Sequence, residues 1–400
     1  MLNRRTFLKT STAVAAASGF GIRTALANED LRWSVHCDLT GPAAEGGKFQ
    51  ADGFNAYADW VNANGGIRGR KIALSINDST FKVDVAVANV KKELAKGRID
   101  FLFGESTGMI QAISPENNTT QKIFMTSGSF ASELADEKAF PYHFVTGATY
   151  GAQLRMLVDH IKSASGSTPA RVVIVHSSTG MGRDGIEVAM KRAQELGVNI
   201  VLVQQTRFVE TDVSAFALAI RQARPTHVIH HGYSFAVWPE IVRLCRDYGM
   251  RDVVFLGTIW QNERAKMRDL REVADGLVGI KCWNDDTVNA AGDMMKTIGQ
   301  VSRQKDSGFS GYARLGFLNA WMSGMMATKA FEAVIDAKLP VTGDNLSQAM
   351  RQVKDWNTGG LIDVPVTVSG QQLGLGRMIK WSRKDGTPQL EQITDWIKVN

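Results

Sequence analysis

The sequence predicts an α/β fold, with parallel sheets covered by helices on both faces. Three observations carry this. Short apolar runs alternate with helical stripes from residue 31 to residue 282. The chain has 400 residues, enough for two domains of ordinary size. After Gly359-Gly360 the helical stripes stop and strand-like sequence returns, as expected of a chain that comes back to finish an earlier sheet.

Taken in order, residues 1–27 read as an export signal. Asn3-Arg4-Arg5-Thr6-Phe7-Leu8-Lys9 is a twin-arginine motif, Ala13 to Ile22 is weakly apolar, and Ala25-Leu26-Ala27 is an A-x-A cleavage site. Cleavage removes Arg4, Arg5, Lys9 and Arg23, so 46 basic residues become 42 against 40 acidic ones, and the net charge falls from +6 to +2. A nucleic-acid role loses its electrostatic support. Cys37 lies too far past the cleavage site to anchor a lipid. The three cysteines (Cys37, Cys245, Cys282) leave at least one unpaired in an oxidising compartment, and spacing does not choose a pair.

Strands are expected at 31–37 and 71–77. Between them Phe54, Tyr57, Ala58 and Val61 mark a helix that Asn64-Gly65-Gly66 ends. Val83, Val87, Val90 and Leu94 stripe the next helix, and a strand follows from Ile99. Further strands are expected at 123–125 and 143–145. A helix striped by Leu154, Leu157, Val158 and Ile161 comes next, then strands at 171–176, 198–203, 227–230, 253–256 and 277–282. Residues 309–337 form a Met-rich helical stretch. Arg314, Asn319 and Lys329 interrupt it short of the roughly 18 apolar residues a membrane span needs, so its methionines read as core filler.

The chemistry centres on Gly104-Glu105-Ser106-Thr107-Gly108, where a strand ends and a helix begins. Such a junction offers free N–H groups, hydroxyls and the positive end of a helix dipole. It matches the G-x-S-x-G nucleophile elbow, and it equally suits a binding loop or a plain N-cap. Only two strands precede it, no His-Gly-Gly-Gly segment occurs, and no His/Asp partner pair is identifiable, which weakens a secreted hydrolase using Ser106. Gly180-Met181-Gly182-Arg183-Asp184-Gly185 matches a dinucleotide fingerprint, but the next strand ends Gln204-Gln205-Thr206-Arg207, without the acid that would hold a ribose. His227, His230 and His231 lack a Cys or carboxylate at ligand spacing and read as structural or cleft-edge residues. No metal or cofactor is expected.

Further marks are Leu39-Thr40-Gly41-Pro42, the run from Asn62 to Lys71, the Asp78 turn leading to Ala86-Val87-Ala88-Asn89, and Tyr312-Ala313-Arg314-Leu315-Gly316. With these and the loops at Gly104–Gly108 and Gly180–Gly182, the mature chain resembles periplasmic solute-binding proteins of the branched-chain amino acid (leucine/isoleucine/valine-binding) type, which serve ABC importers. The resemblance implies a type I periplasmic-binding-protein fold of two lobes, joined by three hinge crossings and closing on ligand. Lobe one would span 30–148 plus 281–358 and lobe two 149–280 plus 359–400. It further implies a small-molecule ligand, a membrane permease as partner, periplasmic residence and a monomer. A ligand sensor serving a receptor would use the same cleft.

Carried over by position, the ligand carboxylate site falls on Ser106, Thr107, Gly128, Ser129 and Phe130. Thr149 and Tyr150 open lobe two. Met181 stands where the family often has a cleft tyrosine, Tyr233 and Ser234 at the second tyrosine site, and Tyr312 at a late aromatic contact. Three departures stand out. Phe130 replaces a hydroxyl. Ile259, followed by Trp260, replaces the acid that pairs an amino-acid ammonium. Gly46 replaces an aromatic. An alignment shifted near 259 would make Glu263 the ammonium partner instead. As they stand, the departures favour an aromatic or extended carboxylate or amide.

Overall fold

The structure, a computed structural model, describes residues 29–233, 237–287, 289–305 and 314–399. The export signal, Ser234 and Tyr312 lie outside the described residues. The first sheet is built from β1 (Leu31–Cys37), β2 (Ile72–Asp78), β3 (Phe101–Gly104), β4 (Phe124–Ser127) and β5 (His143–Phe144). All pairs are parallel, in the order β2-β1-β3-β4-β5. Its early connections run through α1 (Ala44–Ala63), α2 (Val83–Ala95) and α3 (Thr107–Glu116). Every residue of β3 and β4 is buried. That explains why they read as continuous apolar or small-residue runs and not as alternating strands.

The chain then leaves this sheet through α4 (Tyr150–Ser165) and builds a second one. Its elements are β6 (Arg171–Ser177), the single turn α5 (Gly180–Arg183), α6 (Ile186–Leu196), β7 (Asn199–Thr206), α7 (Ser214–Ala223), β8 (His227–His231), α8 (Trp238–Asp247), β9 (Val254–Gly257), α9 (Arg264–Leu270) and β10 (Val278–Lys281). It goes back to the first sheet with α10 (Asp293–Lys305), α11 (Leu315–Asp336) and α12 (Gly343–Arg351). It ends on the second with β11 (Leu375–Lys384), β12 (Thr387–Gln392) and β13 (Ile397–Lys398). The second sheet runs β12-β11-β10-β9-β8-β6-β7, with β13 against β11; β11 pairs antiparallel with β10. Each sheet with its helices makes one lobe. The Gly359-Gly360 turn packs on Ala291 and Met294, and the strand that re-enters the second sheet begins at Leu375.

α11 is the spine of the first lobe. Its methionines Met322 and Met326 are fully buried, and no described helix is long and apolar enough to cross a membrane. It lies close on α1, where two glycines matter. A Cβ on Gly53 would sit 2.7 Å from the Phe317 carbonyl oxygen, and one on Gly324 would sit 2.5 Å from the Tyr57 ring. Tyr57 meets Trp321 edge-on at 5.1 Å. Rings at such geometry contribute about 0.5–1.5 kcal/mol beyond their burial.

The strand orders also place the site. In the first sheet the direction of winding reverses between β1 and β3, and in the second between β6 and β8. Loops at the carboxyl ends of strands beside such a reversal splay apart and leave a crevice. The loops after β3 and β4 come from one lobe, and those after β6, β8 and β9 from the other.

Candidate functional site

In the first lobe, Ser106 is the N-cap of α3, its Oγ accepting from the Met109 N–H at 3.3 Å. The Thr107 and Ser129 hydroxyls are bonded at 2.6 Å, which ties the loop after β3 to the loop after β4. Gly128 sits at their crossing: a Cβ there would lie 2.5 Å from the Glu105 carbonyl oxygen and 2.7 Å from Gln50 Nε2. Ser129 Oγ also accepts from Ala131 N–H. The Phe130 carbonyl accepts from Tyr150 N–H at 2.7 Å, and Thr149 caps α4 through Ala152 N–H. The segments 106–107, 128–130 and 149–150 are therefore one bonded unit.

Aromatic side chains cluster around it. The Phe130 ring is fully buried, with ring centres of Tyr150 at 5.6 Å, Trp283 at 5.6 Å and Trp260 at 6.0 Å. Trp260 Nε1 donates to the Tyr150 hydroxyl at 3.0 Å. Tyr233 faces Trp260, Phe208 and Phe81, and Phe81 of the first lobe stacks on Phe208 of the second at 4.8 Å. His231 lies edge-on to Tyr150 at 4.8 Å, its Nε2 on the Met181 carbonyl and its Nδ1 on Thr258 Oγ1. A carbonyl accepts only, so Nε2 carries the proton and Thr258 donates to Nδ1. Burial drives this histidine down to about 3, so it stays neutral.

The structure thus brings Ser106, Thr107, Gly128, Ser129, Phe130, Thr149, Tyr150, Met181, Tyr233 and Trp260 to the seam between the lobes. Ile259 is fully buried, with its N–H donated to Gln153 Oε1 at 2.9 Å. Glu263 has its carboxylate on Leu315 N–H and near Arg314. Gly46 lines a small crevice with Phe49, Trp260, Glu263 and Leu315. Sequence reasoning did not mark Phe81, Phe208 or Trp283, because each comes from a loop with no periodicity to read. The lobes also touch where a Cβ on Gly180 would lie 3.3 Å from Thr107, and where Asp184 accepts from Ser132 N–H and Oγ at 2.9 Å each. The glycine-rich 180–185 turn is explained by packing, since Gly182 lies on Ser177 and Gly185 on Gly151. No group of residues suited to a metal occurs among the described residues.

Glu105 lies under this site, accepting from Asp38 N–H and from Ser79 Oγ. Burial pushes its carboxyl up to about 8; the two hydrogen bonds oppose this, and the charges of Asp38 and Asp78 add to it. The folded state therefore holds a proton that the unfolded chain has lost above about pH 4.3. The resulting stability is full below that pH and fades as pH rises through about 8, at up to about 1.4 kcal/mol per pH unit. Glu105→Gln is expected to flatten the fall in urea midpoint between pH 5 and pH 8. A variant with the wild-type slope refutes the assignment.

Two α/β lobes with loops converging on a shared cleft define a two-lobed ligand-binding protein. Residues 35–390 match the family model for periplasmic binding proteins, and residues 1–21 match the twin-arginine translocation signal. The chain belongs to the periplasmic binding protein family. Its N-terminal signal is of the twin-arginine type, which directs export to the periplasm, and its family is that of periplasmic proteins built to bind a ligand. A Leu/Ile/Val-binding protein homolog of Brucella abortus is 26% identical over 286 residues, 69% of this chain and 71% of the relative. A branched-chain amino acid ABC transporter protein from Thermus thermophilus with bound valine superposes with a TM-score of 0.82 at 19% identity, covering 93% of this chain and 97% of the other. A solute-binding protein from Rhodopseudomonas palustris in complex with 3,4-dihydroxybenzoic acid gives 0.78 at 15%, covering 93% and 98%.

Proposed function

We propose that the cleft captures an aromatic or otherwise extended carboxylate or amide, and not a free α-amino acid. What supports this is Ile259, an aliphatic residue fully buried beside Trp260, at the position where the family resemblance puts the anion of an amino-acid site. An ammonium buried without a counter-charge costs several kcal/mol even after relaxation. Glu263 does not supply that charge, because its carboxylate is engaged by Leu315 N–H and Arg314. On the other side, the start of α3 presents helix-end N–H groups beside Ser106 and Thr107, which suits a carboxylate. Phe130, Tyr150, Tyr233 and Trp260 then offer ring edges and faces to a flat body. The benzoate-bound relative of the same fold is consistent with this ligand class.

Ser106 holds the ligand and does not attack it: its Oγ serves as the α3 cap, and the Gly104–Gly108 turn is a binding loop. The test is a thermal-shift and tryptophan-fluorescence panel of 4-hydroxybenzoate, longer aromatic acids, short amides and the branched-chain amino acids. Saturable binding of aromatic acids or amides at about micromolar concentrations is expected, and a fluorophosphonate probe should leave Ser106 unlabelled. Binding of leucine, isoleucine or valine with no response to the others overturns the ligand class.

A further inference from the structure

α11 is the longest helix among the described residues, yet it starts without a cap of its own. Its N-cap residue is Arg314, whose side chain makes no capping bond, and its first turn holds no acidic residue. The acceptor arrives from the other lobe. Glu263 Oε2 takes the Leu315 N–H at 2.9 Å, and Oε1 lies 3.6 Å from the Arg314 guanidinium. Both side chains are 15% exposed. The contacts continue along the seam: Arg314 covers the Phe49 ring of α1 at 4.5 Å, and Lys266 of α9 bridges to Glu45 of α1 at 2.9 Å. Glu263 stands at the start of α9 and makes no capping bond to that helix. Its carboxylate is committed across the cleft.

We propose that Glu263 is a positioning residue for ligand capture: an N-cap that the second lobe supplies to α11 of the first, made when the lobes close and released when they part. A helix N-terminus carries orphan N–H groups and a partial positive charge, so a carboxylate there is favourable. When the lobes separate, Leu315 N–H and Glu263 each return to water and that gain is lost. The link to ligand is short. Trp260, which faces Phe130 and Tyr233, sits on the Ile259–Gln261 turn, and Glu263 follows two residues after that turn ends. A ligand that seats Trp260 against Phe130 brings Glu263 onto α11. This inference rests on the two-lobed binding-protein reading and is independent of the ligand's chemistry.

The experiment uses the mature protein without ligand and with saturating 4-hydroxybenzoate or leucine, each as a separate probe. Amide exchange over residues 314–320 and small-angle scattering are measured for wild type, Glu263→Ala, Glu263→Gln and Glu263→Ala/Arg314→Ser. In Glu263→Ala, exchange at the start of α11 should rise about tenfold, the scale of a lost N-cap, and the scattering radius should move towards the open value. Whichever probe binds should dissociate about tenfold faster. Arg314→Ser gives α11 an internal cap, so the double variant should regain amide protection while its radius stays open. Glu263→Gln keeps an acceptor and should fall between, which preserves the test if the alanine variant folds poorly. Wild-type exchange and radius in Glu263→Ala overturn the proposal. If leucine binding alone is then lost, Glu263 is a ligand ammonium partner. Failure of both probes to bind, with the exchange and radius effects intact, leaves the cap standing and rejects only those ligands.

Discussion

Asp285→Ala should cost about 3–5 kcal/mol of stability, because it strands two buried cations. Asp285 follows β10 at the hinge side of the second lobe. Its carboxylate takes Lys281 Nζ at 2.8 Å and faces the Arg264 guanidinium at 3.4 Å. All three side chains are nearly sealed from water, with exposures of 3%, 6% and 6% for Lys281, Arg264 and Asp285. The Trp381 ring lies 5.2 Å from Arg264 and 5.8 Å from Lys281, so no solvent takes up their charge on that side. Burial alone would raise the Asp285 carboxyl, but the two cations outweigh it and hold it below the ordinary range. A depressed carboxyl contributes stability above the unfolded value of about 3.9, and that contribution fades as pH falls through the folded value. The loss in Asp285→Ala should therefore be full at pH 7 and shrink in acid. Lys281→Met, which leaves Arg264 facing Asp285, should cost less. Urea unfolding followed by tryptophan fluorescence checks both; a loss under about 1 kcal/mol at pH 7 refutes the account.

Much of the fold was legible because a parallel sheet announces itself. β3 and the centre of β6 are buried apolar runs, and α1, α2 and α4 carry stripes at three- and four-residue steps. The place where the chain finally re-enters the second sheet was less legible. Gly359 and Gly360 are the conspicuous break, with φ of 64° and 94°, but they serve a turn that packs on Ala291. β11 follows only at Leu375, after a stretch held by bonds such as Val145 N–H to the Gln371 carbonyl and Leu373 N–H to the Val145 carbonyl. Local sequence marks turns; it does not say which sheet a turn serves.

The candidate site divides in the same way. The junction at Ser106 was readable because strand, glycines and helix succeed one another within a few residues. Contacts joining distant segments were not. Gln153 holds the Ile259 N–H across 106 residues of sequence, and Trp260 reaches Tyr150 across 110. Glu263 shows the limit most clearly. Its composition and position offer an ammonium partner, and only the geometry shows both carboxylate oxygens turned to Arg314 and Leu315. Phe208 lies in the polar stretch after β7, and nothing in that stretch marks its stacking on Phe81.

Phe130→Ala should combine a large loss of stability with a large loss of ligand. The ring is fully buried between Tyr150, Trp260 and Trp283, and a Cβ on Gly147 would lie only 3.1 Å from its Cε1, so it packs directly against the crossing between the lobes. Removing a buried phenyl costs about 3–5 kcal/mol, through lost transfer free energy and the cavity left behind. Each lost ring contact adds about 0.5–1.5 kcal/mol, so affinity for an aromatic acid should fall well over tenfold. The alanine variant alone does not separate packing from recognition, because a loosened hinge weakens any ligand. Phe130→Leu separates them. It keeps most of the volume and should cost less than about 1.5 kcal/mol by urea unfolding. If the ring touches ligand, fluorescence titration with 4-hydroxybenzoate should still show the leucine variant binding several-fold more weakly at near-normal stability. Wild-type affinity in that variant would assign Phe130 to lobe packing and leave recognition to Trp260 and Tyr233.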